Sequence, residues 1–415
     1  MAAETAHALL WGTPLHTCAM SRELLTYDAA LEIMRGAIHP TKRTERLALE
    51  NAVGRIIATD LHAEGDNPRF DNSGVDGYAI SCAEDGLEGA VLVLSDSVSA
   101  GSQSLTRIEK GTAVRIFTGA PTPPGTWGIV MQEDVSLNGG RIQISRMVSQ
   151  GDFIRRAGAD FQFGKLLMKS GTRIDPSNVP LLAFNGEVRP PVFVRPKVAV
   201  ISTGDEIVSS ADIPSGPQIR DTNGPMLAAL TGSVLGNWPE IVLVRDNRQE
   251  VVDAIWRASE LSDVVILSGG ASVGDRDFVA SVLQQIGHIH FHGVKIRPGK
   301  PVLFGQVGAS FVFGLPGNPA SSYVCFELFV REALLRLTGA LEPPLRWWPM
   351  RLGFDHKAMG RDDFVRARMQ DGILQSAGEQ GSFGIISPAE AEFLIRFPVD
   401  QDLYSGDTCL AAALG

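Results

Sequence analysis

Between Pro196 and Thr338 the chain alternates short, wholly apolar runs with stretches whose apolar residues recur at helical spacing. Val198 to Ile201, Ile241 to Val244 and Val264 to Leu267 carry no polar position, a pattern that predicts strands buried on both faces of a parallel sheet. Helices are predicted between them. Asn247 and Glu250 have capping-box spacing ahead of Val251, Val252, Ile255 and Ala258, and Pro225 sits near the start of the helix that precedes Ile241. Strand, helix, strand in repetition is the signature of βαβ units with right-handed crossovers. A last helix, about Pro319 to Thr338, is stopped by Gly339.

The flanking regions have other rhythms. Thr26 can cap a helix in which Ala30, Ile33, Met34 and Ala37 recur at i, i+3, i+4 and i+7, and His39-Pro40 ends it. From about residue 50 to 150 come short β-type runs such as Ala90 to Leu94 and Ile129 to Met131, punctuated by clusters such as APTPPG at 120 to 125. Around 151 to 190 a glycine-punctuated segment leads to a short linking helix with Asp175 as N-cap, Pro176 at its first position and Gly186 as its stop. Beyond Pro343-Pro344, alternating stretches predict a small β domain. A chain of 415 residues exceeds what one core organises, and the pattern agrees with several domains.

Composition removes whole classes of function. A content of 44% hydrophobic and 20% charged residues is that of an ordinary globular protein. The net charge of −10 argues against a nucleic-acid partner, which requires clustered Lys and Arg, so any anionic ligand must be met by local groups. No apolar run reaches membrane-spanning length and the N-terminus lacks the basic and apolar parts of a secretion signal, which leads to the expectation of a cytoplasmic protein without a membrane partner. Cys18, Cys82, Cys325 and Cys409 form no CxxC pair and are expected to be reduced.

Candidate chemistry collects where the predicted strands end, the place where ligands bind in open α/β sheets. SDVVILSGGASVGDRDF (262 to 278) runs a strand into Gly269-Gly270, Ser272 and an acidic helix start. Glycines admit a phosphate to the backbone, a helix N-terminus supplies donors, and Asp275 and Asp277 offer hard oxygens to Mg²⁺. A tight βα turn capped by either aspartate is the structural alternative. KVAVISTGDEI ends a second strand in Thr203, Gly204, Asp205 and Glu206, and VLVRDN puts Asp246 beyond a third, so Asp205 or Glu206, Asp246 and Asp277 can converge on one sheet edge. Such carboxylates repel unless a cation sits among them. Opposite charge comes from GVKIRPGKPVLFG, with Lys295, Arg297 and Lys300 around a Pro-Gly turn, and from GLPGNPASS, where Pro319 opens a helix. His288, His290 and His292 alternate along a strand and could share a zinc ion, but they precede the cationic turn and read better as solvated or ligand-adjacent histidines.

SGGASVGDRDF, VISTGDEI, KIRPGKP and GLPGNPAS, with DNSGVDGYAI at 71 to 80 and IFTGAPTPPG at 116 to 125, together resemble the molybdopterin molybdotransferases, the MoeA family and the gephyrin E domain, over about residues 22 to 415. The resemblance implies a multidomain α/β plus β fold: an elongated, discontinuous linker domain (22–50 and 148–190), an inserted β-rich domain (51–147), a three-layer α/β molybdopterin-binding domain with a parallel-type sheet (191–340) and a small C-terminal β domain (341–415). It implies a homodimer with the active site at the subunit interface, other molybdenum-cofactor biosynthesis proteins as partners, and insertion of molybdate into adenylylated molybdopterin with Mg²⁺-dependent release of AMP. On that analogy Asp246 and Asp277 serve the metal, and Glu206, with Gly204 and Asp205, holds polar ligand groups. Gly269, Gly270 and Ser272 line phosphates, and Arg297, Lys300, Pro316 and Pro319 shape the pterin and oxyanion pocket. Asp76, Thr118 and Asp160 match further positions associated with activity, and Arg297 stands where lysine is common, keeping the charge but changing its geometry. The rival readings are a non-catalytic gephyrin-like scaffold and a molybdopterin adenylyltransferase. Strand-end carboxylates opposite Lys and Arg speak against the first, and the extra domains against the second.

Overall fold

The structure is a computed structural model that describes residues 24–102, 106–269, 278–341 and 345–414. The chain divides into two compact units, one made of the chain up to Arg43 and from Phe193 onward, the other Thr44–Val192.

In the larger unit, α1 (Tyr27–Ala37) begins at Thr26, whose hydroxyl accepts the Ala29 N–H at 3.2 Å. Its inner face is Tyr27, Ala30, Leu31 and Met34, whereas Ile33 is partly exposed, so the buried stripe is rotated from the predicted one. The central sheet contains β1 (Val198–Thr203), β2 (Glu240–Val244), β3 (Val264–Ser268), β4 (His288–His292), β6 (Leu303–Val307) and β7 (Ser310–Leu315), while β5 (Ile296–Arg297) belongs elsewhere. The spatial order is β2-β1-β3-β7-β6-β4. The first four are parallel, but β6 runs antiparallel to both β7 and β4, so the sheet is mixed. Alternate residues face opposite layers. Val198, Val200, Val264 and Ile266 pack with α1, with α2 (Asn223–Leu235) and with the helical run after β7, while Ile201, Val265 and Leu267 pack against α3 (Arg248–Leu261) and α4 (Phe278–Ile286).

Three local expectations change. β2 is an edge strand, not a strand buried on both faces: Leu243 is 42% exposed. The helix after β7 is three joined pieces, α5 (Pro319–Cys325), a π-helical turn (Phe326–Val330) and α6 (Arg331–Leu337), with the buried Glu327–Arg331 ion pair at the junction. In β4 the register slips between Ile289 and Phe291, which breaks the alternation that would set three histidines on one face. His290 stacks on Phe304, and the His288 ring meets it edge-on with centroids 4.9 Å apart.

The C-terminal sheet is built from β8 (Trp347–Arg351), β9 (Asp362–Gln370), β10 (Ile373–Ser376), β11 (Phe393–Phe397) and β12 (Thr408–Ala413), and takes β5 as its edge, in the order β5-β9-β11-β12-β8 with β10 on β9. Thus the cationic turn that follows Arg297 hangs from a strand of this sheet.

The smaller unit holds a six-stranded sheet whose order is Gly128–Met131, Gly77–Ile80, Thr112–Ile116, Val91–Val98, Arg141–Ile144 and Val135–Asn138. Tyr78 and Ile80 face one small core, Ala79 and Ile116 another. The linking helix is shorter than predicted, Val179–Phe184. Asn178 Oδ1 accepts the Asp175 N–H at 2.8 Å, so residues 175 to 178 close a turn and Pro176 lies outside the helix.

Candidate active site

A cavity of about 1020 Å³ opens at the C-terminal ends of β1, β2, β3 and β7. Glu206 enters from the loop after β1, Asp246 from the loop after β2, and Ser268 and Gly269 from the end of β3. Arg297, Pro298, Gly299 and Lys300 form one wall, and Pro316, Gly317, Asn318 and Pro319 lead from β7 into α5. Parallel strands end on one edge and their loops must share it, which is why segments far apart in sequence meet here.

The floor is tightly fitted. Gly269 has φ 95°, and a Cβ added there would stand 2.5 Å from the carbonyl oxygen of Thr203. Only glycine lets the β3 end lie against β1 in this way. Pro319 opens α5 without losing a helical bond, and the next backbone donor, the Ala320 N–H, is taken by the Ser382 carbonyl at 3.1 Å, which ties α5 to the 380–383 loop. Asp205 and Gly204 do not line the cavity; Asp205 Oδ1 accepts the Asp246 N–H at 3.2 Å and so ties the two acidic loops together.

Several lining groups were missed in the sequence. Asp221, Thr222 and Asn223 stand at the start of α2, where Asp221 Oδ1 accepts the Gly224 N–H at 2.9 Å. Asn223 Nδ2 donates to Ser268 Oγ at 2.8 Å and to the Gly317 carbonyl at 2.7 Å, stitching three loops of the rim. An Asp-Thr-Asn run just before a helical pattern was the available signal. Among the described residues, Asn223 Oδ1, Thr203 Oγ1 and Ser202 Oγ are buried without a hydrogen-bond partner. Buried polar atoms left in this way are satisfied by a ligand or by water. Arg220, Arg361 and the 380–383 loop also line the cavity, and nothing local in the sequence marks them as ligand-facing. That loop is held by Arg366, whose guanidinium donates to the carbonyls of Glu379 and Gly381 and to Ser387 Oγ. Burial lowers the pKa of that guanidinium to about 10.

Gly270, Ser272 and Asp277 lie outside the described residues. In the smaller unit Asp76 and Thr118 are together: Asp76 Oδ1 accepts the Thr118 N–H at 2.8 Å and its hydroxyl at 2.7 Å. Those two bonds, the backbone one foremost, hold the Asp76 carboxyl below the usual range. Asp160 is engaged separately, accepting from Asn67 Nδ2 at 2.9 Å.

No group of three or more His, Cys, Asp or Glu able to hold a metal is present among the described residues. Mg²⁺ commonly takes one or two carboxylates and completes its shell with water and substrate phosphate, so Asp246 and Glu206 on one rim are a donor set of the right chemistry. Among the described residues, no helix is long and apolar enough to cross a membrane.

Comparison with known proteins agrees with this architecture. Residues 25–186 match the model of the MoeA N-terminal region (domain I and II), and residues 199–336 that of the probable molybdopterin binding domain. A Haemophilus influenzae protein named molybdopterin molybdenumtransferase is 35% identical over 367 residues, covering 86% of this chain and 91% of its own. A Nostoc protein of the same name is 34% identical over 384 residues, covering 87% and 86%. The crystal structure of a molybdopterin biosynthesis MoeA protein from Pyrococcus horikosii superposes with a TM-score of 0.79 at 31% identity, over 94% of this chain and 99% of its own. With a relative 35% identical over 86% of this chain and both family models matched in order along it, the chain belongs to the MoeA family.

Proposed function

We propose that this chain is a molybdopterin molybdenumtransferase that inserts molybdate into adenylylated molybdopterin and releases AMP in a Mg²⁺-dependent step. One observation carries the reading: a single large cavity has carboxylates from β1 and β2 on one side and Arg297, Lys300 and the α5 N-terminus on the other. A substrate with a pyrophosphate at one end and an oxyanion to be delivered at the other needs both. The acidic side, Asp246 and Glu206 with Asp277, holds the metal, which when bound neutralises phosphate charge at the bond to be cleaved. The Gly269 floor admits the phosphates close to backbone, and the resemblance assigns Gly270 and Ser272 to the same phosphates. Arg297 and Lys300 fix anionic oxygens, and Pro316 and Pro319 shape the pterin end. Asn223 and Thr203, with unsatisfied buried oxygens, are suited to hydrogen-bond the ligand's polar groups.

The protein acts as a cytoplasmic homodimer in this reading, with Asp76, Thr118 and Asp160 of one copy completing the cavity of the other, alongside other proteins of the cofactor pathway. The test is to incubate the pure protein with adenylylated molybdopterin, molybdate and Mg²⁺ and to follow AMP. AMP released in step with molybdenum incorporation is the expected result. Pyrophosphate formed from ATP and molybdopterin, with no molybdate-dependent AMP, would reassign the chain to the adenylyltransferase reaction.

A further inference from the structure

Behind the cationic wall of the cavity lies a buried cluster that the chemistry above does not use. Arg297 belongs to β5, which pairs in parallel with β9, and the register sets Arg297 beside Asp363. Arg297 Nη1 is 3.8 Å from Asp363 Oδ2, and His356 Nε2 is 3.4 Å from the same oxygen. The Asp363 side chain is only 7% exposed. His356 is fixed in turn: its ring lies on Phe397 with centroids 3.8 Å apart, and its backbone exchanges hydrogen bonds of 2.7 and 2.9 Å with Leu403. The sulfur of Met359 lies against the Arg297 guanidinium on a further side.

Burial raises the Asp363 carboxyl above its usual range, with Arg297, His356, Arg366 and Arg361 pulling it back. The acid meets Arg297 across the strand pair and also offsets the charge of the buried Arg366. An arginine has a planar fork whose direction matters, and it must be held from behind to present a fixed edge in front.

We propose that Asp363, backed by His356, is a positioning residue that aims the Arg297 guanidinium into the cavity and so sets affinity for the oxyanion substrate. The C-terminal sheet thereby contributes to substrate binding from behind the wall as well as through the loop that lines it. This inference rests on Arg297 facing substrate, as in the function proposed above.

The experiment compares the full-length protein with Asp363→Asn, Asp363→Glu, Arg297→Gln and the Asp363→Asn/Arg297→Gln pair in steady-state molybdate insertion, with thermal melts of each. For Asp363→Asn the KM for molybdate rises about tenfold, as expected when a binding group is displaced by a fraction of its length, with kcat within about twofold. Asp363→Glu restores most of the affinity. In the Arg297→Gln background, Asp363→Asn adds nothing, because the group it aims is gone. If Asp363→Asn alone does not fold, that double variant, which removes both charges, still decides: a further rise in KM beyond Arg297→Gln overturns the proposal. An unchanged KM in Asp363→Asn beside a raised KM in Arg297→Gln overturns it while leaving Arg297 in the substrate site. An unchanged KM in Arg297→Gln overturns both.

Discussion

The strand-end cavity of the larger unit and the Asp76–Thr118 corner of the smaller one both present carboxylates, but they hold them differently. At the corner, Asp76 takes two donors from one residue of its own unit, and its ionised form is satisfied before any ligand arrives. At the cavity, Glu206 and Asp246 are brought to a common rim by parallel strands and face cations across open volume, while the oxygens of Asn223 and Thr203 beneath them lack partners. The first arrangement fixes a charge, and the second leaves the Asn223 and Thr203 oxygens for a ligand to complete. Asp363 is a third case, a carboxylate that burial resists and neighbouring cations retain.

The comparison can be broken at several points. The largest effect is expected for Asp277→Asn, which removes an anionic group proposed for the metal: molybdate insertion in vitro falls by about a hundredfold to a thousandfold, with circular dichroism unchanged. Undiminished insertion would remove Asp277 from the chemistry. Next is Gly269→Ala, where a methyl group meets the Thr203 carbonyl at a backbone angle that L residues avoid. A loss of about 2 kcal/mol in denaturant unfolding of the larger unit is expected, and a silent substitution would mean that the β3 end is not tightly seated.

The smallest effect belongs to the corner. Thr118→Val removes the hydroxyl donor but keeps the backbone one, so the Asp76 pKa moves part of the way up toward its ordinary value. A carboxyl depressed in the folded state adds stability above its unfolded pKa and loses it as pH falls through the folded value. The variant is therefore expected to be slightly less stable than the parent at neutral pH, with the difference shrinking as pH falls through the folded pKa values. A stability difference that does not change between neutral and acid pH, or none at all, would show that the hydroxyl does not hold the charge.

How much of this was legible in the sequence depends on how local each cause is. Apolar runs marked β1, β2 and β3, and Thr26 and Asn247 marked their helix starts, because burial of a strand and capping of a helix are written within a few residues. The convergence of Glu206 and Asp246 followed from topology alone. What escaped depends on distant partners. Ile241 to Val244 is as apolar as its neighbours, and only the strand order reveals it as an edge. Pro176 suggested a helix start, but the Asn178 side chain closes a turn there first. Nothing in KIRPGKP says that Ile296–Arg297 is a strand of the C-terminal sheet, so neither Asp363 nor the 380–383 loop could be placed beside the cavity.

The central claim is that the acidic rim serves a divalent cation beside the substrate's phosphates. The most direct measurement is a Mg²⁺ titration of molybdate insertion by Asp246→Asn and the parent chain. The account predicts that half-saturating Mg²⁺ rises about tenfold or more in the variant, with rate partly recovered at high Mg²⁺. An identical Mg²⁺ dependence in the two proteins would contradict it.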